Sequence, residues 1–163
     1  MVCLIGQMIS GKVIEFNSGI LQMVLALAFF IPIIMDMGGN IGSQSSTITV
    51  RGLATGQLDL DELWRNVWAE TKTGFFIGML TGIIIFSFTY IWQKNYTLSI
   101  TIGLAAFVTA ILAATTGTLL PLIFIRFKID PAIAAGPFIT TINDVINLSV
   151  YFGIATLLFG YLR

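Results

Sequence analysis

The chain has 163 residues, of which 56% are hydrophobic and only 10% are charged, and its eight basic and eight acidic side chains cancel. Soluble domains carry about 25% charged residues, so this chain is expected to be an integral membrane protein, and its long apolar runs predict an all-α fold. The zero net charge gives no sign of a nucleic-acid partner. The sequence has no histidine and one cysteine, Cys3, which excludes Ser-His-Asp and Cys-His catalysis and argues against a zinc or copper site. We therefore expect no enzyme and no catalytic residue, and for any metal a hard cation with oxygen ligands.

Residues 1–35 predict one short helix and one membrane span. Residues 1–16 are mostly apolar but too few for a standard span of about 20 residues, so we expect a first helix that is short or truncated. The tripeptide Asn17-Ser18-Gly19 predicts a turn, with a plausible N-cap for the next helix. Residues 20–35 predict the second span, and Pro32 near its end should bend it or release a carbonyl one turn earlier.

The character of the sequence changes at Asp36. Residues 36–47 are dense in glycine and small polar side chains, and no basic residue follows until Arg51. An exposed loop is one interpretation. We favour a re-entrant bend or a loosened helix that lines a cavity, because the segment runs directly out of an apolar helix and would offer backbone carbonyls as ligands.

The middle of the chain predicts packing helices. Residues 51–71 form a polar connection in which Trp64, Val67 and Trp68 share one face, which predicts an amphipathic helix lying in the membrane interface. Residues 73–92 predict the third span, whose glycines recur every fourth position and should pack closely on another helix. Residues 98–124 predict the fourth span, with threonine hydroxyls that bond their own backbone or a neighbouring helix, or, less commonly, line a pore.

The last stretch, residues 130–162, predicts a long fifth helix capped by Asp130 and disturbed by Pro137. Helical spacing places a stripe of polar residues and one glycine on its face: Gly136, Thr140, Asp144, Asn147 and Tyr151. A charged side chain at the centre of a bilayer costs about 2.5–3.5 kcal/mol on insertion scales. Asp144 therefore predicts a cavity, a partner or an ion at this position.

Basic residues are biased toward one side of the predicted topology. The connections after the second and fourth spans hold most of them, and the opposite side holds the rest: Arg51, Arg65, Lys72, Arg126 and Lys128 against Lys12, Lys94 and Arg163. By the positive-inside rule the first group is expected in the cytoplasm.

These residues favour a pathway for a divalent cation. Magnesium keeps most of its waters and is usually held by one or two carboxylates, which suits Asp144, Thr140, Asn147 and the free carbonyls expected around Gly39 and Gly136. A two-fold homodimer would place two copies of Asp144 at one axis, where a cation offsets their repulsion. Three alternatives stay open. The first is a proton- or sodium-coupled carrier, and the second is a membrane scaffold in which Asp144 bonds a neighbouring helix. The third is an intramembrane protease in which Asp36 and Asp144 form the aspartyl pair.

Two segments resemble the signature motifs of the MgtE family of magnesium channels. Residues 32–56 read PIIMDMGGNIGSQSSTITVRGLATG, and residues 130–144 read DPAIAAGPFITTIND. Both match nearly position by position, in the right order and spacing, and the resemblance covers essentially the whole chain.

The resemblance implies a five-helix membrane domain over residues 1–163, dimeric, with a pore along the two-fold axis in the cell membrane. It implies that Asp144 recognises hydrated Mg²⁺ at the centre of the site. The other site residues that it implies are Thr140, Gly136, Asp36, Gly39, Asn40 and Ser43.

The sequence also departs from the family pattern. The superhelical domain, the paired CBS modules and the connecting helix of the family's regulatory region are not expected in these residues. Some relatives carry asparagine or another polar residue where this chain has Gly136 and Ser43, so the site is expected to depend more on carbonyls and water.

Overall fold

Helices form the chain throughout the part that the computed structural model describes, which is residues 1–58, 62–134 and 136–160. The α-helices are α1 (Val2–Phe16), α2 (Ser18–Met23), α3 (Ile31–Ala54), α4 (Leu63–Gln93), α5 (Tyr96–Arg126) and α6 (Pro137–Gly160), with 3-10 helices at Leu25–Phe30 and Pro131–Ala134. Within the described ranges, four segments are long and apolar enough to cross a membrane: Leu25–Ala54, α4, α5 and α6. The all-α prediction is confirmed for these ranges. So is the short first helix, since α1 has 15 residues.

The second span differs from its prediction at both ends. The backbone leaves the helix at Val24 (φ −135°, ψ 79°), passes through the 3-10 helix and enters α3 at Ile31, so Pro32 lies in the first turn of a helix. A proline there loses no hydrogen bond, because first-turn N–H groups have no partner in the helix. Asn17 forms the predicted turn. Its amide donates to the Val13 carbonyl (2.8 Å) and does not cap α2.

The prediction of a re-entrant bend or loosened helix over residues 36–47 is wrong. The whole segment lies inside the regular helix α3. Its glycines serve close packing: a Cβ atom added at Gly38 would collide with the amide of Asn147, and one at Gly42 with the amide of Asn143. Side chains of α6 fill the space beside these glycines, so the segment stays helical. The carbonyls near Gly39 that were expected as ligands are therefore part of a regular helix.

The prediction of a separate interfacial helix is also wrong, because the described residues of that helix form the first turns of α4. At 1.5 Å per residue, the 31 residues of α4 span about 46 Å, longer than a hydrocarbon core of about 30 Å. The predicted glycine face is confirmed. Gly74, Gly78 and Gly82 are buried, and a Cβ atom at Gly78 would lie 2.7 Å from the Phe107 carbonyl oxygen of α5.

Helix α5 is the most buried span and lies between α4 on one side and α3 and α6 on the other. Asn95 caps it by accepting a hydrogen bond from the Leu98 N–H (3.0 Å). The hydroxyls of Thr109 and Thr118 donate to their own helix, at the carbonyls of Ala105 (2.8 Å) and Ala114 (3.1 Å). The first of the interpretations offered for these threonines is therefore confirmed.

Helix α6 begins later than the sequence predicts. After the short 3-10 helix the chain turns at Gly136 (φ +67°), and Pro137 is the first residue of α6. Pro137 therefore starts the helix and does not disturb its interior, for the same reason as Pro32. The prediction that Asp130 caps this helix is wrong, because its Oδ1 accepts from the Ala132 N–H (2.9 Å) in the 3-10 helix, several residues before α6 begins. Residue 162, the predicted end, lies outside the described residues.

Consecutive spans run in opposite directions. Gly74 of α4 meets Ala114 of α5 and Gly82 meets Gly103, which makes these two helices antiparallel. Helices α3 and α6 are antiparallel as well, since Gly38 meets Asn147 and Gly42 meets Asn143. This alternation brings the end of α3, the start of α4 and the end of α5 to one side, together with their basic residues Arg51, Arg65 and Arg126. The residue Arg163 from the opposing set lies outside the described residues.

Candidate cation site

Asp144 lies in the first half of α6 and its side chain is almost completely buried, with 4% exposure. Its Oδ2 atom accepts a hydrogen bond from Gln7 Nε2 of α1 (3.0 Å). Helix α3 passes close to Oδ1, since a Cβ atom added at Gly39 would lie 3.7 Å from it. The carboxylate therefore has an amide on one oxygen and a glycine surface beside the other.

Asp144 faces a cavity of about 350 Å³ formed where α1, α3 and α6 meet. The cavity is lined by Gln7, Pro32, Met35, Asp36, Gly39, Asn40, Thr140 and Asp144. Two carboxylates, an amide from each of two helices and one hydroxyl thus share one space. Oxygen-rich linings of this kind suit hard cations such as Mg²⁺.

Thr140, one turn before Asp144, connects the site to α3. Its hydroxyl donates to the Gly136 carbonyl oxygen (3.1 Å) and lies 3.1 Å from the Ser43 hydroxyl oxygen. Either hydroxyl can be the donor in the contact between Thr140 and Ser43. The backbone N–H of Thr140 also donates to Gly136 (3.1 Å), so the carbonyl that the sequence predicts as free at Gly136 already accepts two hydrogen bonds.

A row of polar side chains continues along the exposed face of α3. Asp36 and Asn40 are joined by a hydrogen bond from Asn40 Nδ2 to Asp36 Oδ2 (3.1 Å). A second cavity of about 360 Å³ begins at Asn40 and is lined by Asn40, Ser43, Gln44, Thr47 and Ile48. We call Asp36, Asn40, Gln44 and Thr47 the polar stripe of α3; all four are exposed.

The structure brings most of the predicted site residues together. Asp144, Thr140, Asp36, Gly39 and Asn40 line one cavity. Ser43 is linked to the cavity by its hydrogen bond with Thr140, and Gly136 lies one turn before Thr140 and accepts a hydrogen bond from its hydroxyl.

Two members of the predicted α6 stripe belong to the core instead. The Tyr151 hydroxyl donates to the Leu27 carbonyl (2.8 Å) in the buried interior, and Asn147 is fully buried against Gly38. Neither residue lines the cavity.

Gln7 is the polar residue of the cavity lining that the sequence analysis missed. It is one of few polar residues in α1 and follows Gly6, the small residue at which α1 touches Thr141 of α6. A small residue beside a lone amide on an apolar helix is a signal for close approach to a polar partner. The partner itself is 137 residues away in the chain, so no local pattern identifies it.

The MgtE family model, described as a divalent cation transporter, matches residues 31–154. The magnesium transporter MgtE of Bacillus subtilis is 40% identical over 149 residues, which are 91% of this chain and 33% of that protein. The magnesium transporter MgtE of Thermus thermophilus is 32% identical over 152 residues, 93% of this chain and 33% of that protein. The protein of the same name from Enterococcus faecalis is 36% identical over 135 residues, 83% of this chain and 30% of that protein. The chain thus spans about a third of the length of these curated relatives.

Proposed function

Because the chain belongs to the MgtE family of divalent cation transporters, we propose that it conducts hydrated Mg²⁺ across the cell membrane, with Asp144 as the central residue that recognises the ion. In this proposal residues 1–163 are the multi-pass membrane domain of a channel. The relatives named as magnesium transporters support the choice of ion.

The buried carboxylate of Asp144 is the observation that carries the proposal. It is 4% exposed in a helix long and apolar enough to span a membrane, and it faces a cavity of about 350 Å³. Six waters around Mg²⁺ occupy roughly 180 Å³ at about 30 Å³ each, so the cavity has room for an ion that keeps its hydration shell. Such an ion offers water hydrogens to carboxylate and hydroxyl oxygens, and the lining supplies both.

The remaining site residues take supporting roles in this proposal. Asp36 adds the second carboxylate, and Asn40 and Ser43 provide acceptors for coordinated water along the way to the second cavity. Gly39 lets α3 pass beside Asp144, where a Cβ atom would lie 3.0 Å from Thr140 Cγ2. Gly136 fixes Thr140 through its carbonyl oxygen.

The exposed surface of α3 supports a homodimer with the pore on its axis. The polar stripe lies on the outside of a single chain, within a span, where contact with lipid is unfavourable. Helix α4 shows the opposite pattern, because its outward residues Leu80, Ile84 and Ile91 are apolar and more than half exposed. A second copy placed across the stripe would enclose it in a water-filled path, while α4 faces lipid.

Uptake of Mg²⁺ into liposomes tests the proposal. The full chain is reconstituted with an imposed Mg²⁺ gradient and with no proton or sodium gradient, beside Asp144→Asn and the matched control Asp130→Asn. Asp130 is exposed and lies outside the cavity. We expect uptake by the wild type and the control and a loss of about tenfold or more in Asp144→Asn, as for other residues that hold a metal. Equal uptake by all three would refute the role of Asp144, and uptake only under an opposing ion gradient would indicate a coupled carrier.

A further inference from the structure

The contact between Gln7 and Asp144 joins α1 to the candidate cation site. We propose that Gln7 is a positioning residue that makes Asp144 bind a cation through the ion's water shell and not directly; this inference rests on the proposed function of Asp144. It concerns how the site chooses among divalent ions, which differ in how readily they shed water.

The geometry gives Gln7 control over one oxygen of the carboxylate. Its amide Nε2 lies 3.0 Å from Asp144 Oδ2. A carboxylate that binds a bare cation in bidentate fashion uses both oxygens, but here an N–H group with a positive partial charge lies against the second oxygen. Oδ1, beside Gly39, stays open to the hydrogens of a coordinated water. The arrangement therefore favours a hydrated ion over a dehydrated one.

The reach of Gln7 depends on the neighbouring glycine. Helix α1 packs along α6, and Gly6 is buried against Thr141, where a Cβ atom would lie 2.9 Å from the Thr141 hydroxyl oxygen and collide with its methyl group. A larger residue at position 6 would push α1 away from α6 and lengthen the contact between Gln7 and Asp144. Gly6 is thus the structural condition for the hydrogen bond.

Binding to the purified full chain in detergent tests this inference without requiring transport. Mn²⁺, which exchanges its waters readily, is followed by the loss of the electron paramagnetic resonance signal of the free ion. Hexaamminecobalt(III), whose six ligands do not exchange, stands for a hydrated ion and is measured by calorimetry. The readout is the ratio of the dissociation constants of Mn²⁺ and hexaamminecobalt(III). A general loss of stability would weaken the binding of both ions and would not favour one of them.

We expect Gln7→Met, which keeps the length of the side chain and removes the donor, to shift the ratio by about tenfold in favour of Mn²⁺, the size typical for partners of metal-binding groups. Gly6→Ala should shift it in the same direction. The matched controls Gln22→Met, an exposed glutamine away from the cavity, and Gly11→Ala, where a Cβ atom meets nothing within 4 Å, should keep the wild-type ratio.

A wild-type ratio in folded Gln7→Met overturns the inference, and that variant decides alone if Gly6→Ala does not fold. The proposed function fails separately. A shifted ratio together with liposomes that pass no Mg²⁺ would refute transport and keep the role of Gln7. Transport with an unshifted ratio would refute the role of Gln7 alone. Unchanged cation binding in Asp144→Asn would refute both the proposed role of Gln7 and that of Asp144.

Discussion

Two asparagines of α6 fit into two glycine positions of α3. Asn143 and Asn147 are fully buried one turn apart, and they face Gly42 and Gly38, which are also one turn apart. Thr116 of α5 donates to Asn143 Oδ1 (2.6 Å). An amide needs more space than an apolar contact between two helices usually leaves, and the glycines provide it. These two pairs set the register of α3 against α6, and therefore place Gly39 beside Asp144.

The two pairs should respond differently to substitution. The three atoms nearest to a Cβ atom at Gly38 all belong to the Asn147 side chain, whereas one at Gly42 also lies 3.3 Å from the Ala113 carbonyl oxygen. We expect Gly38→Ala and Gly42→Ala each to destabilise the fold by about 1–3 kcal/mol, as overpacking does. Adding Asn147→Ala should restore much of the stability of Gly38→Ala, while Asn143→Ala should restore less in Gly42→Ala.

Loss of helicity on titration with a denaturing detergent measures these differences, and Gly11→Ala is the matched control because its Cβ atom meets nothing within 4 Å. Equal rescue of both pairs would show that α5 does not limit the space at Gly42.

At the scale of single residues, the sequence predicted which side chains lie together at the candidate site better than it predicted their individual contacts. Asp144 and Thr140 follow from helical spacing and the cost of a buried charge. Asn147 shares their stripe in the sequence but contacts Gly38, because α6 meets both α1 and α3 and spacing alone does not distinguish the two contacts. The role of Gly136 depends on its φ of +67°, which no spacing predicts.

At the scale of the helices, the backbone conformation of Gly136 at the start of α6 positions Thr140 of the candidate site, and substitution of Gly136 tests this role. Gly136 holds a left-handed conformation (φ +67°) and accepts both hydrogen bonds from Thr140. A residue with a Cβ atom costs about 1–2 kcal/mol in that conformation, and asparagine less than most. We expect Gly136→Val to reduce both stability and Mg²⁺ uptake, and Gly136→Asn to retain most of each.

Thermal unfolding and liposome uptake, measured on the same preparations, check this prediction. Gly153→Ala is the control on the same helix, since its Cβ atom meets nothing within 4 Å and its φ is not positive. A Gly136→Val variant as active as the wild type would contradict the link from Gly136 through Thr140 to the site.

The α4–α5 interface should matter for stability more than for transport. Gly78 lies against the Phe107 backbone, with 2.7 Å from a Cβ atom to the carbonyl oxygen. Backbone does not move aside as a flexible side chain does, so Gly78→Leu should destabilise the protein by about 1–3 kcal/mol or more. Because no α4 residue lines the cavity at Asp144, folded Gly78→Leu should still pass Mg²⁺. Detergent titration and uptake measure the two effects, with Leu80→Ile on the exposed face as the control.

Element boundaries were the weakest part of the sequence prediction, and the reason is the same in three places. Pro32 and Pro137 are compatible with either the start or the disruption of a helix, and only the neighbouring structure decides. The glycines of residues 36–47 favour unwinding by propensity. Packing on α5 and α6 keeps them helical, since tertiary contacts supply most helical stability in proteins. The apolar runs themselves predicted the four described helices that are long and apolar enough to cross a membrane.

At the scale of the whole molecule, the surface divides into an apolar side on α4 and a polar side on α3. If the proposed two-fold axis runs along the polar stripe, Gln44 of one chain should face its copy. We expect Gln44→Cys in a Cys3→Ser background to form disulfide-linked dimers on mild oxidation in membranes. Ile84→Cys, exposed on α4, should not do so.

Non-reducing electrophoresis checks this prediction. Crosslinking at Ile84 and not at Gln44 would place the contact between copies on α4 and leave the polar stripe without its proposed cover. The dimer is our proposal, and it rests on the family resemblance and on the exposed polar stripe of α3.

The position of α3 in the chain has a consequence for how the protein is made. Its polar stripe and its glycine face make it the span least suited to lipid on its own, and its partners α5 and α6 come later in the chain. During translation, α3 therefore leaves the ribosome before the helices that cover it exist. We expect the apolar segment Leu25–Phe30 to keep it at the insertion machinery meanwhile. Chains that stop before α5 should consequently be degraded although α4 can still anchor them, and a nascent-chain glycosylation assay would show α3 entering the bilayer only after α5 has been synthesised.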